Sequence, residues 1–298
     1  MYSKEEIDTW RKAARIAAQV LDYGKGLVKN GASYLEVSDK IDQKIYDLGA
    51  KPAWATQISF DHVAAHQCAE FDDERVFDNN LVKIDVGVRI DGFIGDNAAT
   101  IDLSGQYKEI CDASREALKA AEKVLCIGAT LDEIGRTIQE TIMSYGLSPI
   151  RNLSGHTISH EMIHDHPSIP NIATGDQTAL EDGQVIAVEP FATNGDGQIY
   201  ESEQANLFSL INTKAVRSPF AREILAYVDQ EYEIYPFTTR WLAKKFGLGK
   251  TRLALRELLR VDNVQQHPPL VERAKGMVAQ FEHTYRIGDK VEKLTVIE

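Results

Sequence analysis

Residues 81–103, "LVKIDVGVRIDGFIGDNAATIDL", constrain the fold of this chain more than any other stretch. Val82, Ile84, Val86, Val88 and Ile90 alternate with polar residues or glycine, which is the period of a β-strand. Asp91-Gly92 is a strong two-residue hairpin signal and closes Ile90 onto Phe93. That turn fixes the register, setting Asp85 opposite Ala98 and Asp96 opposite Gly87. Asp85 and Asp96 then share one face as diagonal neighbours, roughly 7–8 Å apart at the backbone. Gly87 and Ala98, also on that face, are small and leave room above the sheet.

Two aspartates on a hairpin are ordinarily solvated, but further carboxylates come from similar settings. In "QVIAVEPFATN" (184–194) Glu189 ends an apolar strand just before Pro190, and in "GMVAQFEHTYRIG" (276–288) Glu282 shares a face with Gln280 and Thr284. Four converging carboxylates without cations would repel one another and lose hydration, so they require protonation or metal. With one neutral imidazole they balance the charge of two divalent ions, and they suit oxygen-tolerant metals better than a thiolate zinc site does.

The rest of the chain reads as a repeated plan. A capping box, Ser3-x-x-Glu6, opens a helix with Ile7, Trp10, Ala14, Ala17 and Leu21 at helical spacing. "GASYLEV" (31–37) starts a second, capped by Ser33-x-x-Glu36 and continuing through Ile41, Ile45 and Leu48. From residue 104 a long amphipathic helix follows, and "GATLDEI" (128–134) begins another with Thr130-x-x-Glu133. The motif G-A-[S/T]-x-x-E-[V/I] thus occurs twice, 97 residues apart, each time ahead of strands. This order of elements predicts two structurally related halves, with any site between them drawing residues from both.

Residues 207 to 270 break the plan. The stretch 237–261 reads as helical, with two apolar stripes joined around Gly247 and Gly249. Residues 240 to 260 carry seven Lys or Arg against one acid, Glu257, in a chain whose net charge is −12. The overall charge disfavours a whole-surface nucleic-acid binder. The local patch is either a solvated helical face or a helix-turn-helix-like module touching RNA, DNA or the ribosome. Cys68, Cys111 and Cys126 are odd in number and widely spaced, as reduced thiols are. The N-terminus lacks the apolar core of a signal peptide, and no apolar run approaches the roughly 20 residues that span a bilayer. The expectation is a cytoplasmic protein without a membrane partner.

Residues 160–164, "HEMIH", spell H-E-x-x-H, a zinc signature that works only on a helix. Gly155 before it and Pro167 and Pro170 after it argue against one.

With Asp85, an eleven-residue step to Asp96, "SGH" at 154–156, "VEPFAT" at 188–193 and "QFEHT" at 280–284, the chain resembles the methionine aminopeptidases over nearly its whole length. The resemblance implies an α+β pita-bread fold, with two pseudo-symmetric halves around a curved antiparallel sheet. A small helical, winged-helix-like insert at 207–270 would interrupt a catalytic unit of residues 1–206 and 271–298. The long interval between Glu189 and Glu282 resembles the type II branch in its archaeal-like form. The implied activity is hydrolytic removal of N-terminal methionine before a small second residue.

Two divalent ions, of cobalt, manganese, iron or zinc, would be ligated by Asp85, Asp96, His156, Glu189 and Glu282. By the same resemblance Glu189 would pass the proton to the leaving amine. His164 would donate to the carbonyl oxygen, and His66 would position the peptide amide. Phe60, Ile169 and Phe191 are the expected lining of the methionine pocket. Of "HEMIH", only His164 keeps a catalytic role, and Glu161 stands where the family usually has tyrosine. Implied partners are nascent polypeptide N-termini and the ribosome, with no DNA and with the chain as a monomer. The rival readings are a proline-specific pita-bread peptidase and a catalytically silent relative that binds RNA or ribosomes through the insert. The first ordinarily carries an extra N-terminal domain, for which there is no room before Asp85. The second ordinarily loses metal ligands, whereas all five positions are filled here.

Overall fold

The Asp91 hairpin folds as its turn dictates. A computed structural model describes residues 2–202 and 204–297. In it, strands Leu81–Ile90 and Phe93–Asp102 pair antiparallel, with Asp85 opposite Ala98 and Gly87 opposite Asp96. Asp91 and Gly92 take φ of 48° and 80°, the left-handed pair that a tight hairpin turn needs.

Ahead of the hairpin lie α1 (Lys4–Leu27) and α2 (Tyr34–Asp47), and after it α3 (Lys108–Val124) and α4 (Leu131–Ser144). The capping residues act as expected: Ser3, Ser33 and Thr130 accept from the backbone N–H groups of Glu6, Glu36 and Glu133. α1 and α2 pack Ile16, Val20, Ile41 and Ile45 onto Ile58, Val82, Ile84 and Val86 of the hairpin side. α3 and α4 pack Leu118, Ile134, Ile138 and Ile142 onto Ile186, Val188 and Tyr285.

The two halves repeat each other bond by bond. Gly31 N–H donates to the Phe77 carbonyl and Gly128 N–H to the Leu180 carbonyl, both at 2.8 Å. Ser33 bridges Val76, and Thr130 bridges Ala179. Strand Lys51–Pro52 pairs Lys51 with Arg89, and strand Ser148–Pro149 pairs Ser148 with Thr193. The helices and the short strands after them, Lys51 onto Ser148, therefore repeat at 97 residues and their partner strands, Arg89 onto Thr193, at 104, an offset that carries Asp85 onto Glu189. In the second half the sheet is built from Ser154–Ser159, Met162–Pro170, Val185–Val188 and His283–Arg286.

Between the last strands of that half, Leu207–Leu210, Phe237–Thr238 and Val264–His267 form a separate three-stranded sheet. It carries α5 (Pro219–Glu231), α6 (Thr239–Phe246) and α7 (Leu248–Arg260). The helical reading of 237–261 holds from Thr239 onward, since Phe237–Thr238 instead pairs with Leu207–Phe208. Gly247, at φ 81°, separates α6 from α7. These elements enclose their own core of Phe208, Ile224, Val228, Phe237, Leu255 and Leu258. Arg240, 0% exposed, fastens α6 to α2 through Asp39 and Asp42. Trp241 Nε1 also donates to Asp42 at 2.7 Å.

Cys68, Cys111 and Cys126 are free. Among the described residues, no helix is long and apolar enough to cross a membrane.

Candidate metal centre

The halves meet over one cavity of about 820 Å³, lined by all seven residues singled out from the sequence: Asp85, Asp96, His156, Glu189, Glu282, His66 and His164. Each half presents two carboxylates from paired antiparallel strands. Asp85 and Asp96 stand in the Asp91 hairpin. Glu189 and Glu282 adjoin the Val188–His283 pair, where Pro190 interrupts the ladder before it resumes at Phe191 and Gln280. Glu282 N–H donates to the Ala98 carbonyl at 3.0 Å and so joins the Asp91 hairpin to the second strand pair. Thr284 reinforces the joint, its hydroxyl donating to the Asp96 carbonyl at 2.7 Å and accepting from Asp96 N–H at 3.0 Å.

Space above Gly87 was expected to be open, but the Trp54 indole fills it. A Cβ at Gly87 would stand 2.4 Å from that ring, so glycine is required by close approach. Trp54 Nε1 donates to Asp85 Oδ1 at 3.2 Å. Gln280 plays a similar part opposite, its amide lying 3.2 Å from Glu189 Oε2 and 3.4 Å from Glu282 Oε2.

At the centre four carboxyl groups crowd together out of water, so without cations they tend to hold protons. Burial drives the pKa values of Asp85, Glu189 and Glu282 far up, and repulsion from Asp96 adds to each. Asp96 itself is pushed up to about 8 by burial, against hydrogen bonding with Glu282. Burial lowers His156 to about 4, so its ring is neutral near pH 7. Its Nδ1 faces the Thr157 carbonyl at 3.3 Å, which assigns the proton to Nδ1 and leaves Nε2 bare. That lone pair looks at Asp96 Oδ2 at 3.5 Å and Glu189 Oε1 at 3.6 Å. Among the described residues, Asp96 Oδ1 and Glu282 Oε1 are buried with no hydrogen-bond partner. Ligand atoms of Asp96, His156 and Glu282 lie within 4.8 Å of one another. A buried knot of carboxyl oxygens and one imidazole nitrogen, which must hold protons unless cations neutralise it, fits divalent cations.

The remaining histidines frame the cavity above this floor. His66 has φ 64°, and its N–H donates to Gln57 Oε1 at 2.6 Å. Its Nδ1 lies 3.3 Å from the Pro268 carbonyl. Burial, with His267 nearby, lowers its pKa to about 4. The His164 ring meets the His156 ring edge-on at 4.5 Å. Burial, then His156 and His267, lower its pKa as well. His267, which the sequence reading missed, lies 6.0 Å from His66 between ring centroids, and Ser209 Oγ holds its Nε2 at 2.8 Å. No spacing signals it, because it arrives from the far end of the insert.

Two of the three expected pocket residues lie elsewhere. Phe60 packs with Tyr34 and Phe77 at 4.8 and 5.5 Å, and Ile169 belongs to the core of the second half. Phe191 does line the cavity, with Ile163, Leu207 and Leu270 completing an apolar wall. "HEMIH" is no helix: His160 and Glu161 form the turn between strands Ser154–Ser159 and Met162–Pro170. His160 Nε2 meets the Asp91 carbonyl at 2.9 Å, away from the carboxylates.

Comparison with known proteins identifies the chain's relatives. The model described as metallopeptidase family M24 matches residues 8–289. A methionine aminopeptidase of Archaeoglobus fulgidus is 40% identical over 279 residues, covering 93% of this chain and 94% of that protein. One from Thermococcus onnurineus is 40% identical over 282 residues, covering 94% and 96%. Among solved structures, a thermophilic Arx1 superposes with TM-score 0.86 at 17% identity, over 99% of this chain and 91% of that one. The methionine aminopeptidase of Thermotoga maritima superposes with TM-score 0.73 at 23% identity, over 100% and 98%. The shared architecture is the pita-bread fold.

Proposed function

The chain belongs to metallopeptidase family M24, and we propose that it acts there as a methionine aminopeptidase, releasing the first methionine of nascent polypeptides and peptides whose second residue is small. Identity of 40% with archaeal methionine aminopeptidases over nearly the full length supports the activity. As its family implies, the centre is one for divalent metal. We read it as dinuclear, with Asp85, Asp96, His156, Glu189 and Glu282 holding two ions of cobalt, manganese, iron or zinc. The observation that carries this reading is the bare Nε2 of His156 facing two carboxylate oxygens at 3.5 and 3.6 Å. Bound there, the ions would supply Lewis-acid polarisation of the scissile carbonyl and acidification of a water.

The chain's own groups do the rest. The carboxylate-rich floor draws in a free α-ammonium group, which restricts cleavage to chain ends. Phe191 and the apolar wall around it receive the methionine side chain. Glu189, with one oxygen held by Gln280, moves the proton from water to the leaving amine. His164 donates to the carbonyl oxygen as negative charge develops on it. His66, oriented by the Pro268 carbonyl, positions the peptide amide. Residues 207–270 form a subdomain beside a catalytic unit of 1–206 and 271–298. Met1, Glu203 and Glu298 of that unit lie outside the described residues. The chain works as a cytoplasmic monomer on polypeptides leaving the ribosome.

His156→Ala and Glu189→Ala should each abolish release of free methionine from Met-Ala-Ser by metal-supplemented protein. Near-normal turnover by either variant would remove that residue from the assignment.

A further inference from the structure

The cavity wall carries one charge that the metal centre does not use. Asp85, Asp96, Glu189 and Glu282 are assigned to metal, and two divalent ions would balance their four charges. Among the described residues no Lys or Arg lines the cavity, and Glu161 is the remaining carboxylate on it. Glu161 is exposed, and among the described residues no hydrogen bond or ion pair holds its side chain. Its place is fixed all the same. Its N–H donates to the Gly92 carbonyl at 2.9 Å, and a Cβ added at Gly92 would stand 2.7 Å from its Cγ. The Arg89 guanidinium stacks on the Tyr235 ring at 4.0 Å, but it is buried, pairs with Glu233 at 3.4 Å and does not line the cavity.

The mouth of the cavity is otherwise apolar. Met162, Ile211 and Ile234 line the cavity yet are 51%, 49% and 53% exposed. One exposed apolar side chain is ordinary, but three at one opening mark a surface that meets another molecule. Lysine and arginine suit such a mouth, because their aliphatic stems lie along apolar surface while the charged end reaches a carboxylate. Spacing along the strand indicates which peptide residue arrives there. Glu161 precedes His164 by three residues, roughly 10 Å of extended chain at about 3.3 Å per residue. With its scissile carbonyl at His164, an extended peptide leaving by the apolar mouth brings its third and fourth residues level with Glu161.

We propose that Glu161 is a specificity-determining residue, selecting peptides with lysine or arginine at the third or fourth position. The selection rests on the aminopeptidase activity proposed above and adds no catalytic group to it. The test compares kcat/KM for methionine release from Met-Ala-X-X-Ser, with X as Lys, Gln or Glu, at pH 8 and low salt with metal supplied. The Lys peptide should exceed the Glu peptide about tenfold, the product of a gained attraction and a relieved repulsion, each on the scale of a partly exposed ion pair. The difference should lie in KM, since the contact is the same in the bound peptide and in the transition state. An acidic molecule attracts cationic peptides in any case, so the variants decide. Glu161→Gln should bring the Lys and Glu peptides to within about threefold of each other, and Glu161→Lys should invert their order. An unchanged ratio in Glu161→Lys, or equal kcat/KM for the three peptides with the unaltered chain, would overturn the selection and leave the aminopeptidase activity standing. No methionine from any of the three peptides would overturn both.

Discussion

His156 sets what the cavity floor can hold. A protonated imidazole would pair with Asp96 and Glu189 and need no metal. Burial keeps the ring neutral, and the Thr157 carbonyl takes its one proton, so the lone pair faces carboxyl groups that must either hold protons or share a cation with it. The neighbouring histidines separate by the same kind of reasoning. His164 lines the cavity with its ring against His156, while His160 is bound to the Asp91 carbonyl at an exposed turn. His164→Ala should lower kcat on the order of 10²-fold, the scale of losing an oxyanion donor, and His160→Ala should leave most activity intact. Equal losses in steady-state assays of the two variants would contradict that division. Residues carried by a local rule were legible in the sequence: the Asp91-Gly92 turn fixes the register that brings Asp85 and Asp96 to one face. Trp54 and His267 were not, because nothing within a few residues of either reports that it will reach the cavity.

Among the elements, those with their own start signals were the readable ones. α1, α2 and α4 begin at capping residues visible in the sequence. α3 has no side-chain cap, and the loop that leads into it is organised by Asp102 at the end of the hairpin. Its carboxylate accepts from Ser104 N–H at 3.0 Å, Ser104 Oγ at 2.7 Å, Gly105 N–H at 2.9 Å and Tyr107 N–H at 2.6 Å. Partial burial pushes the pKa of Asp102 up, but these hydrogen bonds outweigh it and hold the group below its ordinary 3.8. A depressed folded pKa stabilises the fold above the unfolded value, and that contribution is lost as pH falls through the folded one. Asp102→Ala should therefore cost about 1 kcal/mol at pH 7, the usual net scale of a lost hydrogen bond. The difference in thermal midpoint from the unaltered chain should shrink as the pH is taken below 4, and a constant difference down to pH 2.5 would refute the assignment. The insert depends on an ion pair that no local pattern announces. Arg240 is buried against Asp42, whose other oxygen accepts from Thr56 N–H at 3.1 Å. Arg240→Ala leaves Asp42 buried without its counter-charge and should cost about 3–5 kcal/mol in denaturant unfolding. A loss under 1 kcal/mol would show that the anchor contributes little.

Over the whole molecule, the repeat read from two heptapeptides becomes a site. The strands that carry the carboxylates repeat at an offset of 104, so Asp85 and Glu189 occupy matching places in the two halves and both line the cavity. The echo of "GASYLEV" in "GATLDEI" was legible because helix starts obey local rules. How the halves face each other was not, since that depends on the Glu282–Ala98 and Thr284–Asp96 bonds across the junction. Convergence of the two halves predicts an activity that neither carries alone and that only cations complete. The decisive measurement is free methionine released from Met-Ala-Ser while divalent metal is titrated into chelator-treated protein, beside the same peptide with its amino terminus acetylated. Methionine should appear with added metal, vanish again on chelation, and never come from the acetylated peptide. Release that ignores chelation, or cleavage of the blocked peptide, would contradict a metal-dependent aminopeptidase.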